Sequence, residues 1–411
     1  MNEKTDIVVV TKTTKVFVVV FLVLLFVISV ANFVVARPNV KAAIEDSEYR
    51  FTKESINKVE AAYDANVYKK QEWISLYGGA QRVMLKYEVG NFDVVKDEEG
   101  FLHLTELITL KSEEELIAHA ENLHQVYEYA LASGSEFLYV QAPADVVEGK
   151  TVFPVGMDDY YPINDILDSF LGHVENENIP YIDTRKLYTD FSLEEIFYKT
   201  DHHWAFPACF RAYQEIIDVL NTEYDMNLDT EYIYRDINNY KALTYPQSML
   251  GSTGVRVGPL YTGKDDVIVY IPNYETNFTT INYDGKNNHI DRKVNWERSG
   301  SFAEAFISFT LLDNPHYSNK YNAFMHATGT EARIKNHRSN NDTKCLIIAD
   351  SFMRQMLPYL SQCFSETAWI DGRAYRYRGS VADYIDEFDP DIVIVMTHGD
   401  GVYSNVMLEG Y

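Results

Sequence analysis

Cysteine is scarce: Cys209, Cys345 and Cys363 are the only three in 411 residues. Their spacing matches neither a zinc ribbon nor a disulfide framework, so neither a structural metal nor a cystine scaffold is expected. Basic residues are outnumbered, 36 Lys plus Arg against 61 Asp plus Glu, for a formal charge of −25. Affinity for phosphate backbones rests on Lys and Arg that displace counterions, which argues against a nucleic-acid partner. A second long apolar run is missing too, which excludes a multi-span transporter. What is present is an ordinary globular balance, 46% hydrophobic and 24% charged, incompatible with wholesale disorder. At about 150 residues per domain, the length suits two to three domain equivalents or one elaborated α/β domain.

The single apolar run, Val16 to Ala36, reads VFVVVFLVLLFVISVANFVVA, with Ser29 and Asn32 as its polar interruptions. At about 1.5 Å per helical residue it crosses a hydrocarbon core of about 30 Å. Lys4, Lys12 and Lys15 precede it, while Arg37 and Lys41 follow before an acidic run from Glu45. That balance places residues 1–15 in the cytoplasm and the bulk of the chain outside it. A cleaved signal peptide is the rival, since Val34 and Ala36 suit a cleavage site. The run exceeds an h-region of about 7–15 residues, which favours a retained single-pass anchor in the cell membrane. Both readings export the remaining chain.

Residues 37–95 read as a stem, with a helix possible from Ile56 to Leu76. Ser112 to Gly134 reads as an amphipathic helix: Ser112 and Glu115 form a capping box, Leu116, Ala120, Leu123, Tyr127 and Leu131 recur on one face, and Gly134 suits the C-terminus. A buried strand, Glu136 to Gln141, follows. A helix over Ile163 to Val174 leads to a second strand at Tyr181 and Ile182, and Pro207 opens a further helix. Near the C-terminus, Cys345 to Ala349 and Ile392 to Met396 are short apolar strands, each beside a helical pattern; Pro358 is read as the first turn of one. Strands alternating with helices imply a mainly parallel α/β sheet covered on both faces. The intervening segment, 241–336, is rich in Thr, Tyr, Asn and Gly and reads as a β-rich insertion between a first part, 96–240, and a second part, 337–411.

Chemistry concentrates in two places. Asp201 and His203 sit one residue apart, a spacing that puts both side chains on one side of an extended loop. A following helix N-terminus would keep the imidazole neutral and basic. Ser351 lies just past a strand end, preceded by Asp350, on the edge where open α/β sheets place ligands. A serine hydroxyl needs an imidazole to take its proton and an acceptor to orient that imidazole, so these three residues are the parts of a Ser-His-Asp triad. An Asp-Ser pair after a strand is also a common turn and cap. A metal site at Asp201, His202 and His203 is the other alternative, but neighbouring histidines on an extended loop point apart and no third spaced ligand stands out. His398, after the last strand, reads first as a satisfied polar residue. Arg373, with Arg376 and Arg378 among Tyr375 and Tyr377, suits either an anionic sugar or pairing with carboxylates.

The string TDHHW, Thr200 to Trp204, resembles the signature of the bacterial DHHW protein family. GSTGVRVG from Gly251, KYNAFMHATGTEARIKN from Lys320, CLIIADSFMRQMLPYL from Cys345, IDGRAY from Ile370 and DPDIVIVM from Asp389 resemble further blocks in the same order. That family is similar to the alginate O-acetylation proteins AlgJ and AlgX. The resemblance implies an SGNH-hydrolase-like, flavodoxin-type fold, circularly permuted so that Asp and His precede Ser. It makes Asp201 the orienting acid, His203, the histidine before Trp204, the general base, and Ser351 the nucleophile. Ala349 stands where the superfamily commonly has Gly, and no Asn block is assignable.

The combined expectation is a membrane-anchored extracytoplasmic enzyme that transfers or removes an O-acetyl group on a cell-surface polysaccharide, without cofactor or metal. A membrane-bound O-acyltransferase is the donor partner that the resemblance suggests. A non-catalytic polysaccharide-binding or assembly protein on the same scaffold is the alternative. Metal-dependent hydrolysis through Asp201 and His203 is a third.

Overall fold

A computed structural model describes residues 12–47, 49–107, 111–157, 162–283, 292–316, 318–327, 330–372 and 380–398. It divides into two compact units, Met1–Leu76 and Tyr77–Tyr411. In the first unit, α1 (Lys12–Asp46) contains the whole apolar run. Among the described residues it is the one helix long and apolar enough to cross a membrane. The helical stretch expected up to Leu76 is two helices, α2 (Lys53–Ala65) and α3 (Lys70–Val83). The break falls at residues 66–69, where Lys69 has a φ of +54° that a continuous right-handed helix does not allow.

The second unit opens with a small antiparallel sheet, β1 (Glu88–Val89), β2 (Val94–Lys96) and β3 (Leu102–Leu104). The expected helix follows as α4 (Glu113–Ala132), with the Ser112–Glu115 capping box formed and Gly134 at φ +88° beyond its end. Then come β4 (Glu136–Gln141), α5 (Ile163–Asn176), β5 (Tyr181–Asp183) and the helix Phe206–Thr222. The ribbon β6 (Tyr240–Met249) and β7 (Asp265–Pro272) stands apart. β8 (Phe278–Tyr283), β9 (Val294–Gly300) and β10 (Glu331–Asn336) instead join the main sheet, so residues 241–336 lengthen that sheet rather than only decorating it. The chain closes with β11 (Lys344–Ala349), the helix Met353–Leu360, β12 (Glu366–Ile370), the helix Val381–Phe388 and β13 (Ile392–Thr397). Pro358 lies inside the helix Met353–Leu360 rather than in its first turn. The helix starts early because the chain turns immediately after Asp350.

The main sheet has eight strands in the order β5-β4-β13-β11-β12-β10-β8-β9. From β5 to β12 neighbours are parallel, and from β12 to β9 they are antiparallel. The parallel strands carry the core on both faces. In β11, Cys345, Ile347 and Ala349 enter one buried cluster while Leu346 and Ile348 enter the other. The helices Phe206–Thr222 and Met353–Leu360 cover the first face, and α4, α5 and Val381–Phe388 cover the second. Two-sided burial is why these strands read as unbroken apolar runs.

A buried ionic cluster ties the small sheet to the chain beyond β4. His103 is 2% exposed; its Nε2 lies 3.2 Å from Asp97 Oδ2 and its Nδ1 3.3 Å from Asp145 Oδ2. Burial alone would lower its pKa, but the Asp145 and Asp97 carboxylates outweigh that and raise it to about 9. A raised pKa stabilises the fold below the ordinary histidine value, and that contribution fades as pH climbs through 9. Denaturant titrations of the wild type should therefore show stability declining between pH 6.5 and 9 by at most about 3 kcal/mol. His103→Asn should flatten that decline.

Candidate functional site

Asp201 and His203 sit on a tight turn rather than an extended loop. Its base is closed by the Phe197–Trp204 bridge, and Ala205 N–H donates to Ile196 O at 2.7 Å. The Asp201 side chain accepts the His203 backbone N–H at 3.0 Å, an Asx turn, and the same Oδ1 makes a short contact with His203 Nδ1. Asp265 at the start of β7 fixes the turn from outside. Its carboxylate accepts the Lys199 N–H at 3.0 Å, the Thr200 N–H at 2.9 Å and the Thr200 hydroxyl at 2.5 Å.

His203 Nε2 lies 2.8 Å from Ser351 Oγ, across 148 positions of sequence. Ser351 stands directly after β11 and Asp350, at the carboxyl edge of the parallel strands. Two contacts hold this juncture. Trp204, fully buried, donates its Nε1–H to Phe352 O at 3.1 Å. Tyr321 stacks on the His203 ring with centroids 3.9 Å apart and donates its hydroxyl to Ser351 O and Phe352 O at 3.0 and 3.1 Å. Ser351 is half-buried, while Asp201 and His203 are buried.

Burial alone would raise the pKa of Asp201. The His203 imidazole, the neighbouring His202 and the Ser252 N–H, 2.6 Å from Oδ2, together hold it well below the usual carboxylate range. Burial lowers the pKa of His203; Asp201 opposes this only in part, and Arg354 adds to the lowering. At neutral pH the pair is therefore a carboxylate and a neutral imidazole. His202 is lowered to about 3, first by burial and then by His203.

His202 does not point away from His203: their ring centroids are 4.0 Å apart, because the Asx turn folds the chain and removes the strand-like alternation. His202 Nδ1 pairs with Ser252 Oγ at 2.8 Å. One ligand atom each from Asp201, His202 and His203 falls within a 4.8 Å span, closer to a metal-ligand grouping than the sequence suggested. Both ring nitrogens of His203 are already engaged, however, Nδ1 by Asp201 and Nε2 by Ser351. An ion would have to break one of those contacts. Asp350 is buried; its Oδ1 accepts Phe352 N–H at 2.9 Å, and its Oδ2 accepts the His398 backbone N–H at 3.0 Å and meets His398 Nδ1 at 2.5 Å. His398 also stacks on Phe352, with centroids 5.0 Å apart. Arg373 lies outside the described residues.

Tyr321, Ser252, Phe352 and Gly251 were not singled out for the site. All four lie in or beside the sequence blocks from Gly251, Lys320 and Cys345, which was the available signal.

No protein-family model matches the chain, and no curated protein matches it. Solved structures do. The structure of Bacillus cereus PatB1 with a sulfonyl adduct is 16% identical, covers 76% of this chain and 96% of its own, and aligns with a TM-score of 0.58. A DHHW family protein from Eubacterium siraeum is 18% identical over 76% of this chain and 92% of its own, with a TM-score of 0.56. The chain shares the fold of that DHHW family protein. The O-acetyltransferase domain of Pseudomonas putida AlgJ aligns more loosely, at 13% identity over 76% and 92% of the two chains and a TM-score of 0.45.

Gly251 is the tightest point of the DHHW-like turn. A Cβ there would lie 2.3 Å from Asp201 Cβ, 2.4 Å from its Oδ2 and 2.6 Å from Thr200 O, so one of these must move. Gly251→Ala should cost about 1–3 kcal/mol of stability by overpacking, read from denaturant midpoints. It should also lower the rate at which Ser351 reacts with an acylating or sulfonylating probe by at least about tenfold, since Asp201 would be displaced from His203.

Proposed function

We propose that the protein is a serine-dependent O-acetyltransferase, with esterase activity when water replaces the acceptor, held at the outer face of the membrane by α1 and acting on a cell-surface polysaccharide. The observation that carries this reading is the 2.8 Å approach of His203 Nε2 to Ser351 Oγ, within the range that proton transfer requires. The fold shared with PatB1, one structure of which holds a sulfonyl adduct, supports it.

In the proposed reaction His203 takes the Ser351 proton, and Oγ attacks the acyl carbonyl to form a tetrahedral intermediate. The intermediate expels the donor alcohol, which receives the proton from His203, and leaves an acyl ester on Ser351. A sugar hydroxyl then gives its proton to His203 and attacks that ester; the acyl group moves to the sugar and the proton returns to Oγ. Asp201 orients the imidazole and offsets its charge while it is protonated. Arg354, whose guanidinium carbon lies 6.0 Å from the Tyr321 ring that covers His203, adds a positive field that lowers the His203 pKa and would favour the negative charge of the tetrahedral intermediate.

A non-catalytic scaffold would need none of this geometry, so one experiment separates the two readings. Purified protein mixed with an activated acetyl ester should turn over and carry a single acetyl group on Ser351 by mass spectrometry. Ser351→Ala, folded by circular dichroism, should lose at least about 10³-fold in turnover. Wild-type protein that neither turns over nor acquires the label would leave the scaffold reading in place.

The reaction needs neutral His203, whose pKa lies below 6.5. Turnover should therefore rise with pH along an acid limb centred below 6.5 and stay flat through pH 7. In Arg354→Met the loss of the nearby cation should move that limb upward and reduce kcat about tenfold, a change measurable in a pH–rate profile.

A further inference from the structure

α2 does not leave α1; it runs back along it. Lys58 Nζ meets Asp46 Oδ2 at 3.2 Å, Asn39 Nδ2 donates to Asn66 Oδ1 at 2.7 Å, and the Tyr68 N–H donates to Asn32 Oδ1 at 2.8 Å. Each successive contact pairs a later residue of the returning segment with an earlier residue of α1. The last reaches inside the apolar run, four residues before Ala36, or about 6 Å along the axis. One of the run's two polar interruptions, Asn32, is thus satisfied by the residue at the returning end of the hairpin, Tyr68.

That end is aromatic and charge-balanced: Lys69 Nζ lies 3.9 Å from Glu72 Oε1, and Lys70 Nζ donates to Asp64 O at 3.1 Å. Tyr63, Tyr68 and Trp73 are 41%, 40% and 45% exposed, Lys69 and Lys70 lie between them, and Trp73 Nε1–H donates to Tyr68 O at 3.1 Å. Amphipathic tyrosine and tryptophan rings settle at the boundary between headgroups and acyl chains.

We propose that the returning end of the α1–α2 hairpin and the residues just after it, with Tyr63, Tyr68 and Trp73, form a membrane foot seated in the outer headgroup layer. This rests on α1 being a retained span and is independent of any chemistry at Ser351. It also bears on the fate of α1: cutting the chain at Ala36 would remove Asn32 and dissolve the lowest contact of the hairpin. Phe51, at the other end of α2, stands about 20 Å away along the helix and belongs in water.

The test uses the full chain in vesicles of phosphatidylethanolamine and phosphatidylglycerol. Spin labels are placed at Tyr68→Cys and Phe51→Cys, since the three native cysteines are buried. The label at position 68 should collide with oxygen several-fold more, and with a water-soluble nickel chelate several-fold less, than the label at 51. Brominated lipids should quench wild-type tryptophan emission, and Trp73→Phe should lose most of that quenching. Equal nickel access at the two positions, quenching unchanged by Trp73→Phe, or membrane-fraction protein whose mass lacks α1 would each overturn the proposal. Acetyl-ester turnover in the same vesicles reports separately on the Ser351 reading.

Discussion

The site depends on one meeting: a turn beginning at Thr200 and a strand end at Ser351, 148 residues apart at their contact, arrive within 2.8 Å. Neither segment makes that approach alone. Trp204 spans it through the Phe352 carbonyl, and Tyr321 from a third segment bonds the same carbonyl while covering the imidazole. Three elements therefore converge on one peptide oxygen. Ser351 needs only the direction that β11 gives it, since its position follows from the strand's place between β13 and β12 in the buried sheet. The tryptophan of the motif is in this sense a joint, and its full burial fits a structural rather than a contact role.

Much of this architecture was legible because the governing patterns are local. The Ser112 capping box, the two-sided apolar runs of β4, β11 and β13, and the Asp-x-His spacing each express physics within a few residues. Less legible was what depends on backbone conformation. Alternation placed His202 and His203 on opposite sides, but an aspartate accepting its own i+2 N–H makes a turn, and the turn sets their rings side by side. Composition marked 241–336 as β-rich but carried no information on partners, and β10 found its own in long-range antiparallel registers with β12 on one side and β8 on the other. Tyr321 and Ser252 belong to unremarkable residue types whose importance comes only from where the chain brings them.

Two Asp–His pairs flank Ser351, and their surroundings set different tasks for them. In Asp201–His203 the second ring nitrogen faces the serine hydroxyl. In Asp350–His398 the carboxylate is divided between the imidazole and two backbone N–H groups, one of them on Phe352. The second pair thereby fixes the backbone on both sides of Ser351 and ties the end of β13 to the end of β11. That is a positioning task, and it explains why an Asp-Ser sequence that could be only a turn cap is at once a cap and the neighbour of the hydroxyl.

Metal chemistry and serine chemistry compete for the same atoms. Asp201, His202 and His203 are grouped closely enough to consider an ion, yet the two nitrogens of His203 are the links of the Asp–His–Ser chain. An ion bound through Nδ1 would separate the imidazole from the Asp201 carboxylate; one bound through Nε2 would displace the Ser351 hydroxyl. His202, lowered to about 3, is neutral throughout the physiological range and offers Ser252 a fixed partner. Ser252 in turn donates its N–H to Asp201, so His202 supports the acid of the first pair from behind. Each of these neighbouring contacts bears on the imidazole's two hydrogen bonds, to Asp201 and to Ser351.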